Sequence, residues 1–229
     1  MNRTSRMTAL LAAFRRERNG AVADAMRPYG APRGLNYGVS LPTLRRIVAA
    51  EAADDDLARY LWQQDVRELR LAALHLADAA QLADVGADLW IDGIATSEEA
   101  EEAAFSLLRR AEGFDALFAG WIVRSGRPLV QYAALLAAAR REVRPTEWIV
   151  AAAEAVAGAD RLAAAAPPAI DRYAARLVAQ GAVALCAALG AENDANRQTV
   201  FRAVGSAGQG PAAAYLREEL AWRLPDPEA

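Results

Sequence analysis

Apolar residues recur along this chain at the spacing of helix faces, in short runs punctuated by Gly, Pro, Asp and Thr, and no candidate strand pair lies between them. The clearest run is Phe114, Leu117, Phe118, Trp121 and Ile122, an i, i+3, i+4, i+7, i+8 stripe. Asp65 followed by Glu68 reads as a helix start, after which Val66, Leu69, Ala73 and Leu76 share a face. Thr96 followed by Glu99 repeats that signal ahead of Ala100, Ala104, Leu107 and Leu108. Pro128 and Pro145 are expected in the first turns of further helices, where a missing N–H is tolerated. A long stripe from Ile170 through Tyr173, Leu177, Val178, Gly181 and Leu185 to Leu189 is expected to be capped by Gly190. Pro167-Pro168 ends the Ala-rich segment before it. Shorter helices are expected around 200–204 and 212–222, followed by a disordered polar tail over 225–229.

No helix of this kind buries its apolar face alone, and tight connectors join each to the next. Stacked antiparallel pairs solve that problem. Without a strict tetratricopeptide or ankyrin consensus, the expected fold is all-α, a degenerate HEAT-like solenoid of stacked helical hairpins; a compact irregular bundle is the alternative. No polar or Gly/Ser-rich linker interrupts the helices, so residues 1–224 are expected to form a single domain.

Composition narrows the chemistry. Ala and Leu dominate a 54% hydrophobic chain, favouring helix over strand. All 26 basic residues are Arg, which excludes a Schiff-base or phosphate-loop Lys. A net charge of -3 and a pI near 5.4 weigh against a broad basic surface, although a local Arg stripe is compatible with both. The lone Cys186 cannot form an internal disulfide, making a reducing cytoplasm the simplest compartment, and it reads as a core residue. His75 is the only His, so a Ser-His-Asp triad, a His-based metal site and zinc-finger spacing are excluded or reduced to one ligand. No metal and no cofactor are expected. The first twenty residues lack a cleavable signal pattern, and no stretch reads as apolar enough to span a bilayer.

Two segments carry a resemblance. Leu35-Asn36-Tyr37-Gly38-Val39-Ser40-Leu41-Pro42-Thr43-Leu44-Arg45-Arg46 places an aromatic, Gly, Val and Pro ahead of a helix with basic residues. Leu61-Trp62-Gln63-Gln64-Asp65-Val66-Arg67-Glu68-Leu69-Arg70 follows with a Leu-Trp, then an Arg-Glu turn. With the Asn19-Gly20 turn and the helices up to about Arg141, these resemble the AlkD-like family of HEAT-like repeat, bacterial DNA alkylation-repair glycosylases. The resemblance implies an Arg-bearing face that grips duplex DNA. In active members it also implies release of N3- or N7-alkylated purines by a Trp-rich cleft, a carboxylate and an Arg. This chain departs from that pattern. Where active members carry a Trp-Trp-Asp cluster it has Thr96-Ser97-Glu98-Glu99-Ala100-Glu101-Glu102, and Val130-Gln131-Tyr132-Ala133 stands in place of an Arg-Arg pair.

The candidate catalytic residues are therefore Glu98 and Glu102, four apart on one helix face, where a carboxylate would stabilise charge developing on the sugar. Alternatively, Glu98 and Glu99 complement the helix dipole while Glu101 and Glu102 are solvated. The candidate nucleic-acid contacts are Arg33, Tyr37, Arg45, Arg46, Arg67 and Arg70, with Arg27 as an extension of the same stripe. Solvated Arg residues paired with Glu51 or Glu68 are the alternative reading. Trp62, Trp90, Trp121, Trp148 and Trp222 are expected in the core, and His75 on a helix surface or as a satisfied core residue. Two functions remain open: DNA binding, with alkylated-base excision undecided, or a non-catalytic scaffold that binds a protein partner on its concave face.

Overall fold

The computed structural model describes residues 2–26, 34–82 and 86–224. Arg27, Arg33 and the tail 225–229, singled out above, lie outside them. Among the described residues the chain is helical: α1 (Arg3–Arg16), α2 (Gly20–Met26), α3 (Leu41–Val48), α4 (Asp55–Trp62), α5 (Arg67–Leu76), α6 (Ala87–Gly93), α7 (Ser97–Ser106), α8 (Phe114–Ile122), α9 (Pro128–Ala138), α10 (Trp148–Ala164), α11 (Arg172–Gly190), α12 (Asp194–Ser206) and α13 (Pro211–Arg223). The sole β-type pairing among these residues is an isolated bridge between Leu35 and Val66. The helices fall into two compact units, residues 1–107 and 108–229.

In the first unit, α4 and α5 form a hairpin against which α1, α3 and α7 pack. Side-chain caps start most of these helices. Asn2 accepts from the Ser5 N–H, Ser40 from Thr43, Asp54 from Leu57 and Thr96 from Glu99, each satisfying a donor with no partner inside the helix. The start expected at Asp65 is different. Here α5 begins at Arg67 behind Val66 with no side-chain cap, because the Leu35 N–H donates to the Asp65 carbonyl and the Arg67 N–H donates to the Leu35 carbonyl. Trp62 and Trp90 are both buried, with ring centroids 5.4 Å apart.

In the second unit, α11 packs against α9, α10, α12 and α13. Nine consecutive residues of α9, Val130 to Ala138, are buried, so this helix is a core element rather than an amphipathic one. Phe114, Phe118, Trp121 and Trp148 form an aromatic cluster, with Phe118 and Trp148 centroids 4.6 Å apart. Pro128 occupies the first turn of α9 as expected. Pro145 instead precedes α10, and its carbonyl accepts from the Trp148 N–H, as a residue without a donor of its own can. Gly190 is the last residue of α11 rather than its cap.

Two further expectations are corrected here. The 19-residue α11 is long and apolar enough to cross a bilayer. Its burial among four helices is that of a core helix. Trp222, expected in the core, is 91% exposed on α13, whereas the other four Trp are buried. Cys186 is buried, and burial pushes its thiol up to about 12, so it is an inert packing residue.

Candidate nucleic-acid interface

The predicted carboxylates and the predicted Arg residues of the first unit meet, and they meet as partners. Glu98, Glu99 and Glu102 lie on α7, and each takes an Arg from another helix. Arg67 of α5 grips Glu98 with two bonds, Nε to Oε2 at 2.7 Å and Nη2 to Oε1 at 2.5 Å. Arg70, one turn later, grips Glu99 at 2.5 and 3.1 Å. Arg45 of α3 donates twice to Glu102, at 3.0 and 2.8 Å. His75 Nε2 lies 2.7 Å from the same Glu102 carboxylate. Two-pronged Arg–carboxylate contacts are directional as well as strong, so they fix α7 against α3 and α5.

Burial separates these residues into a frame and a surface. Arg67 is 2% exposed, Glu102 is 2% exposed and Glu68 is fully buried. The expected solvation of Glu102 does not hold: its surroundings are other charged groups, not water. Burial alone would raise the Glu102 carboxyl; the hydrogen bonds from His75 and Arg45 outweigh it and hold the group at about 2, against an ordinary 4.5. Burial likewise works against the Arg67 charge, and Glu98 and Glu68 overcome it, leaving the guanidinium above its ordinary value. Arg70 completes the frame. It donates to the Trp62 and Gly93 carbonyls, and its guanidinium lies 4.0 Å from the Trp62 ring centroid. With their donors turned inward, Arg67 and Arg70 do not form the exposed phosphate-binding stripe expected of them.

The same frame holds a loop. Glu68 accepts the backbone N–H groups of Tyr37 and Val39, both at 3.2 Å, while Arg67 Nη1 donates to the Val39 carbonyl and to Glu68, both at 2.9 Å. On its other side the loop accepts the Asn19 N–H at the Tyr37 carbonyl. Gly38, between the two anchored residues, has φ of +70°, and a Cβ there would lie 2.1 Å from the Asn19 carbonyl oxygen. Only Gly fits that approach. Tyr37 is thus presented by a backbone pinned at four points, half-buried, with its hydroxyl accepting from Arg15 Nε at 3.1 Å.

The helices that precede and follow this loop in the chain carry accessible cations. Arg15, Arg16 and Arg18 at the end of α1 are exposed, as are Arg45 and Arg46 on α3. Arg46 is 67% exposed and touches Glu17 at 3.3 Å, a contact water readily replaces. Arg15 was missed by sequence reasoning; its signal is the Arg15-Arg16 pair closing a capped helix. Glu68 and Glu99 were read as a helix start and a dipole partner, and they are the anchors of the loop and of Arg70. In the second unit, Gln131, one of the residues in place of the family's Arg-Arg pair, is buried and donates to the Ile122 carbonyl at 2.7 Å.

Comparison with known proteins bears on this arrangement. Residues 10–96 match the model of a family described as DNA alkylation repair enzyme. A sequence search of curated proteins returns no match. A solved structure described as a new family of proteins related to the HEAT-like repeat DNA glycosylases, with affinity for branched DNA structures, superposes with a TM-score of 0.69 at 15% identity. The match covers 98% of this chain and 96% of that one. The matched segment contains the whole Tyr37 loop and the Arg67, Glu68 and Arg70 turn. Residues 10–96 are thus similar to the DNA alkylation repair enzyme family, and the all-α fold is similar to that of a protein related to the HEAT-like repeat DNA glycosylases.

Proposed function

We propose that this protein binds branched DNA, through the cationic surface around Tyr37, without excising bases. The observation that carries the reading is the double engagement of Glu98 by Arg67 and of Glu102 by Arg45 and His75. A carboxylate that stabilises a sugar cation must face the sugar with its charge uncompensated. Both candidates are instead neutralised by cations, so their contribution is structural. Arg15, which donates to the Tyr37 hydroxyl, and the exposed Arg16, Arg18 and Arg46 supply positive charge, and Tyr37 an aromatic ring, which together suit phosphates and an exposed base face. The solved relative's described affinity for branched DNA supplies the substrate class.

Fluorescence anisotropy with labelled duplex and four-way-junction DNA, alongside a base-release assay on DNA containing 7-methylguanine, tests this directly. The expected result is saturable, salt-sensitive binding that favours the junction, with no base released. Release of 7-methylguanine overturns the non-excising reading. Absence of binding at low salt overturns DNA binding and favours the protein-partner scaffold.

A further inference from the structure

The second unit holds a cleft of about 370 Å³ bounded by α10, α11 and the start of α13. Nothing in the reading of the Tyr37 surface uses it, and it lies in the low range of small-molecule sites, roughly 300–1,000 Å³. Its lining is predominantly apolar and small, with Ala163 and Ala175 giving a shallow floor. Its polar lining groups are Asp160 on α10 and Arg172, Tyr173 and Arg176 on α11. Arg172 and Arg176, one helical turn apart, both line it and are both exposed, and Tyr173 between them is 59% exposed.

These groups differ in how far they are already engaged. Arg172 has no hydrogen bond or ion pair among the described residues. The Arg176 guanidinium lies 4.2 Å from the Tyr215 ring centroid, which holds the cation in place and leaves its N–H groups available. Asp160 accepts the N–H groups of Ala212 at 3.0 Å and Ala213 at 2.9 Å, so the first turn of α13 balances its charge. Each of its oxygens keeps a further acceptor position. Gly210 allows this approach, since a Cβ there would lie 2.2 Å from the Asp160 carboxyl carbon. The neighbouring Asp171 is turned to the Ala174 N–H at 2.6 Å, capping α11.

We infer that this cleft binds one nucleotide, its base lying on the alanine floor beside Tyr173 and its phosphate held by Arg172 and Arg176. A planar apolar body fits the floor, and an aromatic ring at the rim offers stacking. The guanidinium pair matches a phosphate, and the Asp160 oxygens accept from a base that carries an exocyclic amine. The occupant is a nucleotide either free or at the end of a strand. This inference stands apart from DNA binding by the first unit, and either can fail alone.

Isothermal titration of the full chain with dAMP, deoxyadenosine, dTMP and a 5′-phosphorylated single-stranded pentanucleotide tests it. Saturable dAMP binding is expected, with deoxyadenosine and dTMP each weaker. Arg172→Ala, at an exposed residue outside the core, is expected to weaken dAMP binding about ten-fold, the scale of a lost charged hydrogen bond. Ala163→Trp, which fills the floor, is expected to abolish binding while helical circular dichroism is kept. A pentanucleotide bound more tightly than dAMP assigns the site to a strand end; equal or weaker binding assigns it to a free nucleotide. Absence of binding by both dAMP and the pentanucleotide overturns the inference. So does dAMP affinity unchanged by Arg172→Ala.

Discussion

The two units solve the same packing problem with different chemistry. In residues 1–107 neighbouring helices are joined by Arg–carboxylate pairs with at least one partner buried, Arg67 with Glu98, Arg70 with Glu99, and Arg45 with Glu102. In residues 108–229 the corresponding work is done by the apolar α9 and the Phe114, Phe118, Trp121 and Trp148 cluster. Buried ion pairs are a poor source of net stability, because desolvation cancels most of their attraction. What they provide is direction. The first unit uses that direction to hold the backbone of one loop at Tyr37 and Val39, and the segment that matches the family model includes that loop. The contrast assigns geometry to the first unit and plain cohesion to the core of the second.

Removing one partner of the buried cluster is the most severe way to challenge that contrast. Arg67→Met leaves Glu68 and Glu98 without their shared cation and is expected to cost about 3–5 kcal/mol. Urea unfolding gives the cost, and the variant's remaining folded fraction is expected to have lost junction binding. The matching deletion in the second unit, Leu135→Ala, creates a cavity at a fully buried site and is expected to cost about 2–5 kcal/mol. It should leave junction affinity of the folded protein unchanged. Equal loss of DNA binding in both variants would erase the proposed division of labour.

A gentler probe is acid. Glu102 has a folded-state value of about 2, below its ordinary 4.5, so its contribution is fully present above 4.5 and is lost as the pH falls toward 2. Loss of the α3–α7 and α5–α7 ties should therefore begin in that window, at a cost on the order of 2 kcal/mol. Urea titrations between pH 6 and pH 2 measure it, and Glu102→Gln should flatten that part of the profile.

Much of the fold was readable from spacing. Thr96 caps α7, Pro128 opens α9, and the stripe from Phe114 to Ile122 is α8. These features are local, and local rules reach about one turn. The start of α5 was misplaced because the Leu35 pairing that sets it comes from 30 residues away. The candidate site shows the same limit more sharply. Arg45, Arg67, Arg70, Glu98 and Glu102 were each visible as residues of interest, but Arg45 and Glu102 are 57 residues apart and Arg67 and Glu98 are 31 apart. Helical spacing says which residues share a face and is silent on which faces meet. Read separately, the two groups looked like a cationic stripe and an acidic centre; in the fold they pair with each other, Arg67 with Glu98, Arg70 with Glu99 and Arg45 with Glu102.

The central claim is that the exposed cations beside Tyr37, rather than the buried network beneath it, contact DNA. The most direct measurement is anisotropy of a labelled four-way junction over a series of salt concentrations, comparing the parent protein with Arg15→Ala/Arg46→Ala. Both residues are exposed, so the fold should be unaffected. The prediction is a loss of affinity of about ten-fold, with the salt slope reduced by roughly 2, one for each phosphate contact removed. Unchanged affinity and an unchanged slope would contradict it.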